Sequence, residues 1–161
     1  MTASALVVGL GSRDRCDYGI GPAVAEAVAT LALPGVHVVE QEDPTALLDL
    51  VAEHDVAVVV DAVRSGSPPG TVRAWDVGAA PAPADGWTAT GRGGTHAFGL
   101  ATAVELGRAL HRLPPRLVVV GVDGADFDVG APLSAAVAAA VPAAVAGVCS
   151  ALREVGVDVP G

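Results

Sequence analysis

The strongest constraint in this chain is an alternation: short runs of β-branched residues are separated by longer stretches rich in Ala, Leu and Glu. Parallel strands need crossover connections, and strands covered on both faces read as unbroken apolar runs, so the alternation dictates a parallel sheet sandwiched by helices. The runs are Ala5-Leu6-Val7-Val8-Gly9-Leu10, Val36-His37-Val38-Val39-Glu40, Val56-Ala57-Val58-Val59-Val60-Asp61 and Leu117-Val118-Val119-Val120-Gly121-Val122. Thr71-Val72-Arg73-Ala74-Trp75-Asp76 alternates instead and suits a strand nearer the sheet edge. Apolar spacing predicts helices over 21–33, 44–52, 98–111 and 134–155, with Asp43 as N-cap of the second. Pro142 is expected to bend or interrupt the last of them. The expected architecture is one three-layer α/β/α domain over residues 1–161, built on a mostly parallel open sheet.

Charge and composition exclude several classes of partner. Eighteen acidic side chains against nine arginines and no lysine give a net charge of -9, which argues against nucleic acid and anionic membrane surfaces. Aromatic residues make up only 3%, too few for platforms that stack on single-stranded bases. Residues 131–146 come closest to a membrane span, but Pro132, Ser134 and Pro142 interrupt them, and they read as a buried helix. The first four residues lack a secretory pattern, so the expected setting is the cytoplasm, and the expected state is a monomer. Cys16 and Cys149 form no CxxC pair and read as free thiols.

Open α/β sheets place their sites beyond the carboxyl ends of the strands, which directs attention to the loops after Leu10, Glu40, Val60 and Val122. In the first, Gly9-Leu10-Gly11 supplies two glycines of a dinucleotide fingerprint, but Asp14 stands where a pyrophosphate would be repelled. Asp17 and Tyr18 follow at the entry to the first helix, where Asp17 reads as a helix cap and Tyr18 as a half-buried ring. Cys16 is a poor nucleophile, because Asp14 and Asp17 would raise its thiol pKa. Asp61 ends an all-apolar strand, so its carboxylate must lose water on one side and needs a cation or a donor; capping the turn at Ala62-Val63-Arg64 is the competing reading. His96 follows Gly93-Gly94-Thr95 at a helix start, where the neutral, metal-binding ring is favoured, although an exposed helix-start histidine would look the same. The stretch 78–94, rich in Ala, Pro and Gly, leads into His96 and is expected beside the same cleft.

Taken in order, Val7-Val8-Gly9-Leu10-Gly11-Ser12, Asp17-Tyr18-Gly19-Ile20-Gly21-Pro22, Val58-Val59-Val60-Asp61-Ala62, Thr95-His96 and Val118-Val119-Val120-Gly121-Val122 resemble the hydrogenase maturation proteases, over nearly the whole chain. The resemblance implies a nickel-dependent endopeptidase that removes a C-terminal extension from the large-subunit precursor of a nickel-iron hydrogenase. The nickel ion would be supplied by the substrate's own active site. It also implies a metal-binding set of a first-loop acid, a strand-end Asp and a helix-start His; the last two fall on Asp61 and His96, which would also carry the catalysis. In the first loop the usual Asp-Asp-Gly-Val-Gly-Pro is Asp17-Tyr18-Gly19-Ile20-Gly21-Pro22, so Tyr18 stands in the ligand's place with Asp17 beside it. Two alternatives stand beside the protease: a relative that binds the large subunit or its nickel without cutting, and an unrelated nucleotide-binding α/β protein.

Overall fold

The computed structural model describes residues 4–78, 95–126 and 130–160, with the side chains of 95–99 outside the description. Five strands, β1 (Ala5–Leu10), β2 (Val36–Gln41), β3 (Val56–Val63), β4 (Val72–Asp76) and β5 (Arg116–Asp123), form one sheet in the order β2-β1-β3-β5-β4. All neighbours pair in parallel except β4, which runs antiparallel to β5 at the edge. The strand that alternates in sequence is thus the one with its own direction. Inside that edge, β3 and β5 are buried along almost their whole length.

Side chains of a strand alternate between faces, and the core divides accordingly. On one face, Val58, Val60, Val118 and Val120 pack with Val24 and Val28 of α1 (Ile20–Thr30) and with Val137, Ala144 and Val148 of α4 (Ala135–Glu154). On the other, Val8, Val59 and Val119 meet Leu47 and Val51 of α2 (Leu47–Val51) and Leu100 and Val104 of α3 (Thr95–Ala109). The predicted second helix is shorter than expected, because its first turn, Pro44–Ala46, winds as a 3-10 helix; Asp43 caps it as predicted, accepting from Thr45 N at 2.9 Å.

Pro142 does not interrupt α4, which is helical from Ala135 to Glu154. Ala138, whose carbonyl loses its intrahelical donor to the proline, is exposed, so water can take that hydrogen bond. By length and composition α4 would suffice to cross a membrane. Here its Val137, Ala140, Ala144, Val148 and Leu152 are buried against the sheet, as expected of a core helix.

The glycines of the first loop are consumed by packing rather than by a ligand. A Cβ on Gly9 would lie 2.3 Å from the Gly21 carbonyl oxygen, and one on Gly21 would lie 2.2 Å from that of Leu10. The end of β1 therefore touches the start of α1 backbone to backbone. Gly11 has φ +142°, and a Cβ there would stand 2.0 Å from the Tyr18 carbonyl oxygen. Together these contacts fix where the chain re-enters after β1, and so where Asp17 and Tyr18 lie. The alanine variant Gly21→Ala should lose about 3 kcal/mol, because backbone rather than a flexible side chain obstructs the methyl group; urea midpoints of the two proteins measure it.

Candidate functional site

The carboxyl end of β3 carries Asp61, opposite Gly121 of β5 and on the sheet face of Val59 and Val63, the face that α3 covers. Its side chain is fully buried. Oδ1 accepts from Ala62 N at 2.9 Å, so the capping reading accounts for one oxygen. Oδ2 is buried and, among the described residues, has no hydrogen-bond partner. Burial drives the Asp61 carboxyl well above the usual carboxylate range, and the single Ala62 N–H offsets little of this.

Asp17 lies in the 3-10 turn Cys16–Gly19 and is equally buried, but its surroundings are the reverse. Oδ2 accepts from Ala125 N at 2.7 Å, Asp126 N at 3.0 Å and Ser134 Oγ at 2.9 Å, while Oδ1 accepts from Ser134 N at 2.8 Å. Burial by itself would raise its pKa, yet the donations of Ala125, Ser134 and Asp126 outweigh it and hold the carboxyl below its ordinary value. One expectation is corrected here: Asp17 does not cap α1, whose N-cap is Gly19 without a side-chain bond. Its four donors fill about as many lone-pair sites as a carboxylate has. The sequence offered no signal for these partners, which stand more than a hundred residues away.

Tyr18 is only 2% exposed, not half-buried as expected. Burial raises its phenol pKa, the nearby Asp61 carboxyl raises it further, and Arg15 and Arg64 act in the opposite sense. The Arg15 guanidinium lies over the Tyr18 ring, its carbon 5.3 Å from the ring centroid. Tyr18 packs with Val58, Val60 and Ala62, whereas Asp61 lies on the face of Val59 and Val63; the Asp61 carboxyl still acts on the Tyr18 phenol, and Asp17 is tied to the 125–134 stretch. His96 is the second residue of α3, and its side chain lies outside the described residues, as do residues 79–94 before it. Among the described residues no group of three His, Cys, Asp or Glu side chains could hold a metal ion.

Three features around this centre escaped the sequence reading. Arg13 donates to Glu40 from Nε and Nη2, along one guanidinium edge, at 2.8 and 2.6 Å, and to Glu26 from Nη1 at 3.1 Å, which ties the first loop to β2 and α1. Asp123, at the end of β5, is held by Ser65 N and Ser65 Oγ, both at 2.8 Å. Beside it opens a cleft of about 310 Å³ lined by Arg64, Gly66, Ser67, Asp123, Gly124 and Ala125. The Cys16 thiol pKa, by contrast, is raised as expected, by burial first and then by Asp17 and Asp126; Asp126 from the far loop takes the part expected of Asp14, and Cys16 has φ +49°.

Comparison with known proteins gives a consistent result. The family model described as hydrogenase maturation protease, HycI, matches residues 36–151. The hydrogenase expression/formation protein HupD of Rhizobium leguminosarum bv. viciae is 29% identical over 158 residues, covering 96% of this chain and 76% of that protein. Among solved structures, the hydrogenase maturating endopeptidase HybD from E. coli superposes with a TM-score of 0.76 at 30% identity, covering 98% of this chain and 96% of the other. The solution structure of an endopeptidase from Escherichia coli gives a TM-score of 0.83 at 28% identity, covering 99% and 98%.

The Asp17 arrangement generates a stability prediction with a definite sign. A carboxyl whose folded pKa is depressed contributes stability above its unfolded value, about 3.9, and loses it as pH falls through the folded pKa. Asp17→Asn should cost about 2–4 kcal/mol at neutral pH, because it turns an amide group toward buried N–H donors. It should also flatten the acid side of the stability curve; urea melts of both proteins from neutral pH down to about 3 measure both effects.

Proposed function

The chain belongs to the hydrogenase maturation protease family, and from that premise we propose that it is the endopeptidase that trims the C-terminal extension of a nickel-iron hydrogenase large-subunit precursor after nickel insertion. The observation that carries this reading is Asp61: a buried carboxylate oxygen without a partner among the described residues, at the carboxyl end of the sheet. An orphaned acceptor of that kind is costly unless a proton or a cation meets it. In the proposed reaction the cation is the nickel of the substrate, and Asp61 Oδ2 ligates it.

His96 is the proposed second ligand. It lies one helical turn before Leu100, which packs on the Asp61 face of the sheet. Tyr18 occupies the third place with a phenol, a weaker ligand than a carboxylate. Held against these residues, the metal-loaded end of the substrate presents its peptide bond for hydrolysis, in which water adds to the carbonyl carbon and the C–N bond breaks to leave a new carboxylate and a free amine. The proposed setting is the cytoplasm, with the chain acting as a monomer on this protein partner. A charge of -9 argues against nucleic acid or an anionic membrane as partner.

Tyr18 favours one second reading, a relative that binds the large subunit or its nickel without cutting. Incubation with nickel-loaded precursor, with the mass of the large subunit as readout, decides between the two: loss of the extension supports the protease, and binding with an intact extension supports the second reading. In the same assay Asp61→Asn should abolish processing without lowering the melting temperature. The sign comes from the raised carboxyl: the native state holds the Asp61 proton more tightly than the unfolded chain, so its contribution weakens as pH rises from about 3.9 through the folded value. Asparagine removes that dependence, and at neutral pH the variant should melt as high as the native protein or higher. If Tyr18 is what limits nickel capture, Tyr18→Asp should tighten nickel binding at least tenfold in a calorimetric titration, roughly 1.4 kcal/mol, while Tyr18→Phe should not.

A further inference from the structure

Arg15 stands apart from the other described arginines. Arg13, Arg108, Arg112 and Arg116 each pair with a carboxylate, with Arg116 Nε 3.0 Å from Asp76 Oδ2. Arg153 donates to the carbonyls of Val159 and Pro160, and Arg73 to Ser67 Oγ. Arg64 has an interaction of its own and lines the cleft beside Asp123. The Arg15 side chain, in a chain with eighteen carboxylic acids, meets no oxygen among the described residues; it rests on the Tyr18 ring, and its Nε is buried without a hydrogen-bond partner.

A buried donor left unmet is costly, and a cation over an aromatic ring offsets only part of that cost. Apart from Arg116 Nε, which has Asp76, the unmet buried side-chain atoms among the described residues are Arg15 Nε and Asp61 Oδ2. One is a donor and the other an acceptor; Arg15 lies over the ring of Tyr18, whose carbonyl accepts from Ser12 N at 3.2 Å just past the end of β1, the strand that pairs with β3 beside Asp61. A group complementary to that pair brings a cation and an oxygen together, as a metal-bound peptide does. The backbone of Arg15 is also fixed: its N–H donates to Ser12 O at 3.3 Å, its carbonyl accepts from Tyr18 N at 3.0 Å, and the next residue, Cys16, donates to Ala131 O at 3.0 Å.

We propose that Arg15 is a catalytic residue of this site, donating from its guanidinium to the carbonyl oxygen of the scissile peptide while Asp61 holds the substrate's metal. The proposal rests on the protease reading. As water adds to the carbonyl carbon, the oxygen gains negative charge and the Arg15 N–H bond to it strengthens. When the C–N bond breaks, the charge returns to the new carboxyl group and the proton of the added water goes to the departing amine. The loop that carries the donor is held before the substrate arrives, by backbone bonds and by Asp17, and the guanidinium itself rests on the Tyr18 ring.

Steady-state processing of nickel-loaded precursor by the native chain, Arg15→Met, Arg15→Lys and Arg15→Gly tests this, with Arg112→Met, whose ion pair with Asp49 is exposed, as control. Methionine keeps an unbranched stem against Tyr18 but has no donor, so kcat should fall roughly 100-fold with KM changed less than about threefold. Lysine should recover part of the rate, and methylguanidinium added to the glycine variant should restore it at least tenfold, which a merely structural role would not produce. A methionine variant as fast as an active native chain, or a glycine variant indifferent to methylguanidinium, overturns the proposal and leaves the protease reading intact. A native chain that binds the precursor but cuts nothing removes the protease reading, and the role assigned to Arg15 with it.

Discussion

Three backbone N–H groups and one hydroxyl meet on the Asp17 carboxylate, at 2.7 to 3.0 Å, and they come from residues 125, 126 and 134. This joins the loop after the first strand to the loop after the last strand and to the residue preceding α4. Neither loop has a ladder of its own to fix it, so its placement rests on side-chain bonds and on a few backbone bonds such as Cys16 N to Ala131 O and Asp17 N to Asp126 O. The consequence is local order at the mouth of the sheet. Tyr18, one residue on, is held inside, and Arg15, two residues back, is held over its ring.

The two buried aspartates at this end of the sheet illustrate how environment assigns chemistry. Both have lost water, and desolvation pushes each toward the neutral acid. Asp17 recovers through four donors and is a structural anion. Asp61 has one donor among the described residues, so desolvation prevails and its carboxyl is driven upward. The same residue type thus serves as a brace in one place and leaves an unanswered acceptor in the other, and the donors around each decide which.

Much of the fold was legible, for a physical reason. The runs at residues 56–61 and 117–122 admit no polar face, so they had to lie mid-sheet, and β3 and β5 do. The alternation in 71–76 marked an edge, and β4 is one. Pro142 does not interrupt α4, because a proline's effect on a helix depends on whether solvent can reach the orphaned carbonyl, and only packing decides which face is wet. In the candidate site Asp61 was legible, since a carboxylate after five apolar residues announces its own desolvation problem. Asp17 was misread as a cap because its partners are separated from it by most of the chain. Arg15 carried no sequence signal at all, as an arginine beside a tyrosine-bearing turn is usually solvated.

The sequence alone determined the features that local pattern dictates: four parallel strands, their helical crossovers, the sheet end that carries the site, and the order of motifs by which the chain resembles its family. Hydrophobic periodicity and chain connectivity suffice for these, because each depends on neighbours within a few residues or on the handed rules of strand connection. Only the tertiary structure decided which polar atoms are answered. That Asp17 is saturated, Tyr18 enclosed, and Asp61 Oδ2 and Arg15 Nε left unmet among the described residues depends on groups brought together from distant parts of the chain. Hydrogen bonding is short-ranged and directional, so no spacing in the sequence encodes it until the fold has closed.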